Sequence, residues 1–287
     1  MKKLAALVFT HSPSKFTRDK APYMPIQLGK ALHPDMDLGY LCDNTGDNIS
    51  EKNASWNELT GIYWAWKNLK DVEYVATNHY RRYFDIEDLE KNIDKYFKDS
   101  DVLVVNTSYL AFRNGAMCNL SMATSAEDAW IFLDTALMIH PEYGNEIKRY
   151  FFDNHIFFRF NMFVMPKELF DEYCAFIFPI LFAVEKRLKE HAYSRLKRAI
   201  GYMGEWSLGM FIICRGLKFK EMPWTSPDVE NMSHTPVDKQ LNLWKRVKRK
   251  QKYWFELHRK HKPISLDVFD DIKKGLASDG IFLEHIK

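Results

Sequence analysis

The sequence predicts an α/β fold built on a mainly parallel sheet. Three observations carry this. Short apolar runs alternate with stretches of helical periodicity from the first residues onward. Several of the apolar runs end in a polar cluster, as a strand does when it enters a loop. With 46% hydrophobic residues in 287, the chain can bury a sizeable core and is far too apolar for disorder. One domain is expected over 1–225, followed by a basic helical extension over 226–287.

Residues 3–10 run apolar and stop at Thr10-His11-Ser12-Pro13, a first strand entering a loop. The stretch 24–32 reads as a short helix, and 37–42 as a second strand, with the polar turn Asp-Asn-Thr-Gly-Asp-Asn-Ile-Ser after it. Over 53–70 one helix is expected, because Trp56, Leu59, Tyr63 and Trp66 recur at helical spacing, and Ser55 with Glu58 forms a candidate capping box. Its opposite stripe is Asn53, Asn57, Thr60, Trp64 and Lys67. A third strand through Val72, Tyr74 and Ala76 ends in Asn78-His79-Tyr80-Arg81-Arg82. A charged helix over 86–98 precedes a fourth strand over 101–106. The segment 107–127 has no clear period and reads as a long, functional loop. Residues 127–139 look helical, and 156–165 reads as a long apolar strand. Pro166 is placed in the first turn of a helix that reaches about 190 and kinks at Pro179. A helix over 203–215 stops at Gly216, a last strand covers 217–222, and a basic helix starts near 236.

Composition excludes several classes. The four cysteines, Cys42, Cys118, Cys174 and Cys214, have no close pair, so neither a metal knuckle nor a disulfide framework is readable and a reducing cytoplasm is expected. The apolar run after Lys2-Lys3 is too short for a signal peptide, and the run 174–184 is about half of what a spanning helix needs. The motifs of P-loop nucleotide binding, dinucleotide binding, zinc proteases and serine esterases are absent. Charge is uneven. Residues 245–262 hold nine Lys or Arg against one acid, so this stretch carries +8 and the remainder −5 of the net +3. Aromatics interleave it, a pattern that suits an anionic membrane surface or a solvated helix packed through its aromatics. Nucleic acid ranks lower because the remainder of the chain is acidic.

Ligands of open α/β sheets sit beyond the carboxyl ends of the strands. Four polar clusters fall there: His11-Ser12, Asp43 to Ser50, Asn78 to Arg82, and Asn106. Arginine forks suit phosphate oxygens and tyrosines stack on bases. Asp43 and Asp47 allow a divalent ion or simply a polar turn. Asn53, Asn57 and Glu58 offer paired hydrogen bonds to a hydroxylated ligand. Glu205, expected at the head of the helix over 203–215, is either a dipole-stabilising charge or a general base.

The motif set Gly46 to Ser50, Asn53, Glu58-Leu59-Thr60, Tyr63 to Asn68, His79 to Phe84, Asn161 to Met165, Phe170 to Leu181, Arg195 and Gly201 to Glu205 resembles, in this order over about 3–222, the bacterial family labelled domain of unknown function 4422. Its members are glycosyltransferases of capsule, exopolysaccharide and O-antigen loci, some of them galactofuranosyltransferases. The resemblance implies a single GT-A-like, Rossmann-like domain, a UDP-sugar donor, and a lipid-linked saccharide acceptor. Donor contacts are then expected from His11, Asp43, Asp47, Asn48, Asn53, Asn57, Glu58, Asn78, His79, Tyr80, Arg81 and Arg82. Acceptor contacts are expected from Asn161, Arg195, Arg198 and Tyr202, and the base is Glu205, then Asp128, then His79. Other GT-A enzymes hold Mn²⁺ or Mg²⁺ with an Asp-x-Asp, whereas this strand end has no acid before Asp85, which leaves either such an ion held without that motif or arginines neutralising the diphosphate in its place. Family members often have Cys where this chain has Asn78. The competing class is a non-catalytic binder of nucleotide sugars or polyanions anchored by its basic tail.

Overall fold

The computed structural model describes the chain except residues 1, 110–114, 155, 190–196, 228–231, 235–241, 246, 249–250, 252–265 and 287. Two compact units are discontinuous in sequence: Met1–Thr107 with Phe158–Ala175 and Leu217–Gln240, and Ser108–Phe157 with Phe176–Gly216 and Leu241–Lys287.

The first unit is an α/β sandwich. Its strands are β1 (Lys2–Thr10), β2 (Tyr23–Gln27), β3 (Leu41–Cys42), β4 (Val72–His79), β5 (Tyr83–Phe84), β6 (Val102–Val105), β9 (Phe163–Pro166), β10 (Phe219–Met222), β11 (Trp224–Ser226) and β12 (Met232–His234). Seven of them form one sheet in the order β10-β6-β9-β4-β1-β2-β3. All pairings are parallel except those of β9, which runs against β4 and β6. The expected mainly parallel α/β sheet is therefore present. Its helices are α1 (Asn53–Trp56), α2 (Leu59–Asn68) and α3 (Ile86–Tyr96). Alternation along β1 decides the layers. Leu4 and Ala6 face a core with Ala76, Leu103, Val164 and the α3 residues Ile86, Leu89 and Ile93. Phe9, of opposite parity, meets α2 at Gly61.

The second unit is mostly helical: α4 (Gly115–Ala123), α5 (Ala126–Ile139), α6 (Gly144–Asp153), the later part of α7 (Lys167–Lys189), α8 (Ala199–Cys214) and α9 (Leu266–Ser278), with a short ribbon of β7 (Ser108–Tyr109) and β8 (Ile156–Phe157). Every residue of α5 from Asp128 to Leu137 is buried. The chain end folds back on it. Phe269 lies 4.6 Å from the Trp130 ring, the His285 N–H donates to Asp134 at 2.7 Å, and Leu276 and Leu283 are fully buried.

Several expected elements differ. Residues 24–27 join a strand instead of a helix, because β1 offers them a ladder, and only Lys30–Leu32 wind, as one 3₁₀ turn. The second strand keeps only two paired residues. The helix over 53–70 is broken at Asn57, whose φ is 52° and ψ −128°. Asn53 braces the break: its amide donates to the Asn57 carbonyl at 2.8 Å and to Thr60 Oγ1 at 3.0 Å, an alternative to the helical ladder. The long loop over 107–127 contains α4, which shows no amphipathic period because it packs on α5, α6 and α8 together. The long strand over 156–165 is split by Phe160 and Asn161 at φ 68° and 49° into β8 and β9. Pro166 ends β9, and the helix opens at Lys167. The helix expected from 203 begins at Ala199, so Glu205 is its seventh residue and not its head.

Candidate functional site

The first unit gathers the expected donor residues in two layers, one a buried knot and the other a cluster on the strand ends. The knot organises the polar turn after β3. Asp43 is fully buried and accepts from Gly29 N (2.9 Å), Lys30 N (3.2 Å), Ser50 Oγ (2.5 Å) and Thr60 Oγ1 (2.7 Å). Trp64 Nε1 donates to Thr45, the Tyr63 hydroxyl to Asp47, and the Asn68 amide to the Asp47 carbonyl. Asn48 folds onto its own turn, donating to the Gly46 carbonyl and accepting from Ser50 N. Gly46 has φ 58°, and a Cβ there would stand 2.0 Å from Asn68 Oδ1, so any side chain would be strained and would have to displace the Asn68 amide. Of the stripe Asn53, Asn57, Thr60, Trp64 and Lys67, Thr60 and Trp64 are buried and the Asn53 amide turns onto Thr60 and the Asn57 carbonyl, while Asn57 and Lys67 are half-buried.

The strand-end cluster is built by a tight turn. His79 and Arg82 exchange backbone hydrogen bonds at 3.0 and 2.9 Å, which leaves Tyr80 and Arg81 at the tip. Tyr80 N donates to the Phe9 carbonyl, so the tip sits beside the end of β1. There His11 meets the Tyr80 ring edge-on at 5.5 Å, and the Arg81 guanidinium lies 4.9 Å from the same ring. The Arg82 guanidinium stacks 4.2 Å above Phe160. Beneath the turn Asn78 is fully buried, its amide on the Leu7 carbonyl and its oxygen accepting from Phe84 N. It is a stitch between strands. The His79 ring nitrogen Nε2 lies 2.6 Å from the Phe160 carbonyl oxygen. Burial lowers the His79 pKa below its ordinary 6.5, against the opposing pull of Glu58 and the Phe160 carbonyl and with help from Arg82 and Arg81. At neutral pH it is an uncharged imidazole. Glu58 accepts from the Asn161 amide at 2.8 Å, so Asn161, expected on the acceptor side, belongs to this cluster.

Sequence reasoning missed Tyr83 and Arg18. The Tyr83 hydroxyl lies 2.9 Å from both the Phe16 and the Tyr80 carbonyl oxygens and accepts from Arg18 N, tying the loop after β1 to the tip. Burial pushes its pKa up to about 12 despite Arg18, so it keeps its proton. Next to this loop is an open depression of about 520 Å³ lined by Pro13, Ser14, Lys15, Asp37, Leu38 and Tyr40. The aromatic run in the Tyr80 to Phe84 stretch was the available signal, and its inward-facing member was not separable by spacing.

A divalent ion does not fit this strand end. Its two side chains nearest the expected position, Asn78 and His79, are committed to protein partners, and among the described residues no three His, Cys, Asp or Glu gather as ligands.

The remaining candidates lie in the second unit. Along α8 every residue from Ala199 to Ile212 is buried except Tyr202 and Glu205, one turn apart, with exposed Arg198 preceding them on the same face. Asp128 is fully buried in the first turn of α5, where its N–H bonds Ser125 Oγ, the cap. Arg195 lies outside the described residues.

The family described as Domain of unknown function (DUF4422) matches residues 5–215. The chain belongs to the DUF4422 family. The segments on which the resemblance was read, Gly46 to Ser50, Glu58-Leu59-Thr60 and Tyr63 to Asn68, form most of the hydrogen-bonded knot described above, and His79 to Phe84 contains the arginine-tipped turn. This DUF4422 chain is also similar to the apo structure of the WbbM bifunctional glycosyltransferase, at 26% identity and a TM-score of 0.70 over 82% of the chain. The match covers 46% of that larger protein, so the chain spans less than half its length. No curated protein matches the chain. Among the described residues, no helix is long and apolar enough to cross a membrane.

Proposed function

We propose that this chain is a glycosyltransferase that moves a hexose from a UDP-linked donor, galactofuranose being the first candidate, to a lipid-linked saccharide of capsule, exopolysaccharide or O-antigen synthesis. The arginine-tipped turn at the ends of β1 and β4 carries the reading, supported by the likeness to WbbM. Arg81 and Arg82 supply the positive charge that the departing diphosphate needs, at a strand end whose Asn78 and His79 side chains are engaged by protein partners. Tyr80 and His11 give planar faces beside them. The depression lined by Pro13, Leu38 and Tyr40 suits a nucleoside, with Asp37 and Ser14 as polar partners.

Transfer to a hydroxyl with inversion needs a group to take the proton. Glu205 is assigned this role, with Tyr202 and Arg198 binding acceptor, because this stripe interrupts the buried stretch of α8 from Ala199 to Ile212. Asp128 is less suited, being fully buried, and His79 is held by the Phe160 carbonyl. The basic tail would keep the enzyme at the inner face of the cell membrane, where lipid-linked acceptors reside.

Calorimetric titration with UDP tests the donor site. Replacing Arg81 and Arg82 by Ala should weaken UDP by at least about 10- to 150-fold, the equivalent of one charge-assisted contact of about 1.5–3 kcal/mol. Unchanged affinity would remove the diphosphate role, and absence of UDP-sugar binding by the unaltered chain would remove the reading itself.

A further inference from the structure

Backbone strain in the first unit is concentrated at one contact. Among the described residues, four that are not glycine have positive φ: Asn57, Asp71, Phe160 and Asn161. Three of these flank the hydrogen bond between Asn161 and Glu58. Asn57 precedes Glu58 in the break between α1 and α2, and Phe160 and Asn161 form the break before β9. Such conformations persist only where the surroundings over-determine them, and they gather at working sites. Here they turn the Phe160 carbonyl onto His79 and bring the Asn161 amide to Glu58 Oε1.

The contact leaves capacity unused on both sides. Asn161 is 1% exposed, and its Oδ1 is buried without a hydrogen-bond partner. Glu58 is half-buried, and among the described residues no side chain donates to its Oε2. Its neighbour His79 is engaged by the Phe160 carbonyl at 2.6 Å, and burial lowers its pKa against the pull of Glu58. A carboxylate accepts hydrogen bonds and repels phosphate. Beside the arginine-tipped turn it therefore selects the part of a ligand that is rich in hydroxyls and free of charge.

We propose that Glu58 is the carboxylate that receives hydroxyl groups of the bound nucleotide sugar, and that Asn161 is the positioning residue that fixes it. The proposal rests on the nucleotide-sugar reading above. The hydroxyls belong either to the ribose or to the transferred hexose, and the probes separate the two.

The experiment measures dissociation constants of UDP, UDP-galactose and UDP-galactofuranose for the unaltered chain, Glu58→Gln and Asn161→Gly, with melting temperatures alongside. Glycine accepts the φ of 49° at position 161, so this variant removes the amide and keeps the backbone. Glu58→Gln should weaken binding about 10-fold or more. A loss for the UDP-sugars but not for UDP places the transferred hexose on Glu58, and an equal loss for all three places the ribose there. Asn161→Gly should show a smaller loss on the same ligands at a nearly unchanged melting temperature. If all probes bind both variants as tightly as the unaltered chain, or if Asn161→Gly lowers only the melting temperature, the proposal is overturned while the nucleotide-sugar reading stands. If no probe binds the unaltered chain, that reading falls and takes this one with it.

Discussion

Asp43 shows how a polar residue at a strand end can be spent on the fold. Its two oxygens collect four donors from three separate segments, so Asp43→Ala would orphan the Gly29 and Lys30 amides and the Ser50 hydroxyl, while the Thr60 hydroxyl keeps the Asn57 carbonyl as acceptor at 3.2 Å. Each buried orphan costs about 1–3 kcal/mol, and the variant should lose at least about 3 kcal/mol of stability in a urea titration. A stable Asp43→Ala that fails to bind UDP would instead put Asp43 on the ligand. From sequence, Asp43 and Asn78 were indistinguishable from Arg81, because a pattern records that a polar residue follows a strand and not which way it turns. Glu205 poses the reverse case. It lies two turns into α8, where the helix dipole has faded, so a helix-head charge no longer accounts for it. As the base, Glu205→Gln should cut turnover by about 10²–10⁴ with donor affinity and melting temperature nearly intact. A fully active Glu205→Gln enzyme would end the assignment.

At the scale of elements, the strands and helices with clean periodicity were legible: β1, β4, β6, α3, α5 and β10 all stand close to where spacing put them. The failures share a cause. The break braced by Asn53 and the strained pair Phe160 and Asn161 interrupt elements whose apolar pattern runs on unbroken, and α4 hides its period by being buried on several sides. The placement of α2 rests on one close approach. Gly61 faces β1, and a Cβ there would stand 2.5 Å from Phe9 Cε1 and 2.7 Å from Leu28 Cδ2. Gly61→Ala gains about 1 kcal/mol of helix propensity. It should nonetheless destabilise by a net amount of about 1–3 kcal/mol, because the methyl has to push α2 off the sheet. Thermal denaturation checks this, and an unchanged or raised melting temperature would mean that α2 shifts freely on β1.

At the scale of the whole chain, the α/β class was readable because each strand and helix announces itself locally, whereas two interleaved units depend on pairings between segments far apart in the sequence. The basic stretch is the part whose meaning is set by charge and not by packing. Where it is described, Leu243 is 74% and Trp244 72% exposed, and Val247 is 43% exposed, with Lys245 and Lys248 among them. Exposed aliphatic and indole groups beside a local charge of +8 are what an anionic bilayer attracts. Each basic residue near such a surface contributes about 1 kcal/mol, and the contribution fades as the screening length shortens from about 10 Å at 0.1 M salt to about 3 Å at 1 M. The chain should therefore sediment with phosphatidylglycerol vesicles at low salt and release as salt rises. Replacing Leu243 and Trp244 by Ser should weaken binding at every salt concentration while leaving its salt dependence in place, since the apolar and electrostatic parts are separate. Equal binding to neutral and anionic vesicles, indifferent to salt, would show that the basic block does not face a membrane and serves only to keep a packed helix solvated.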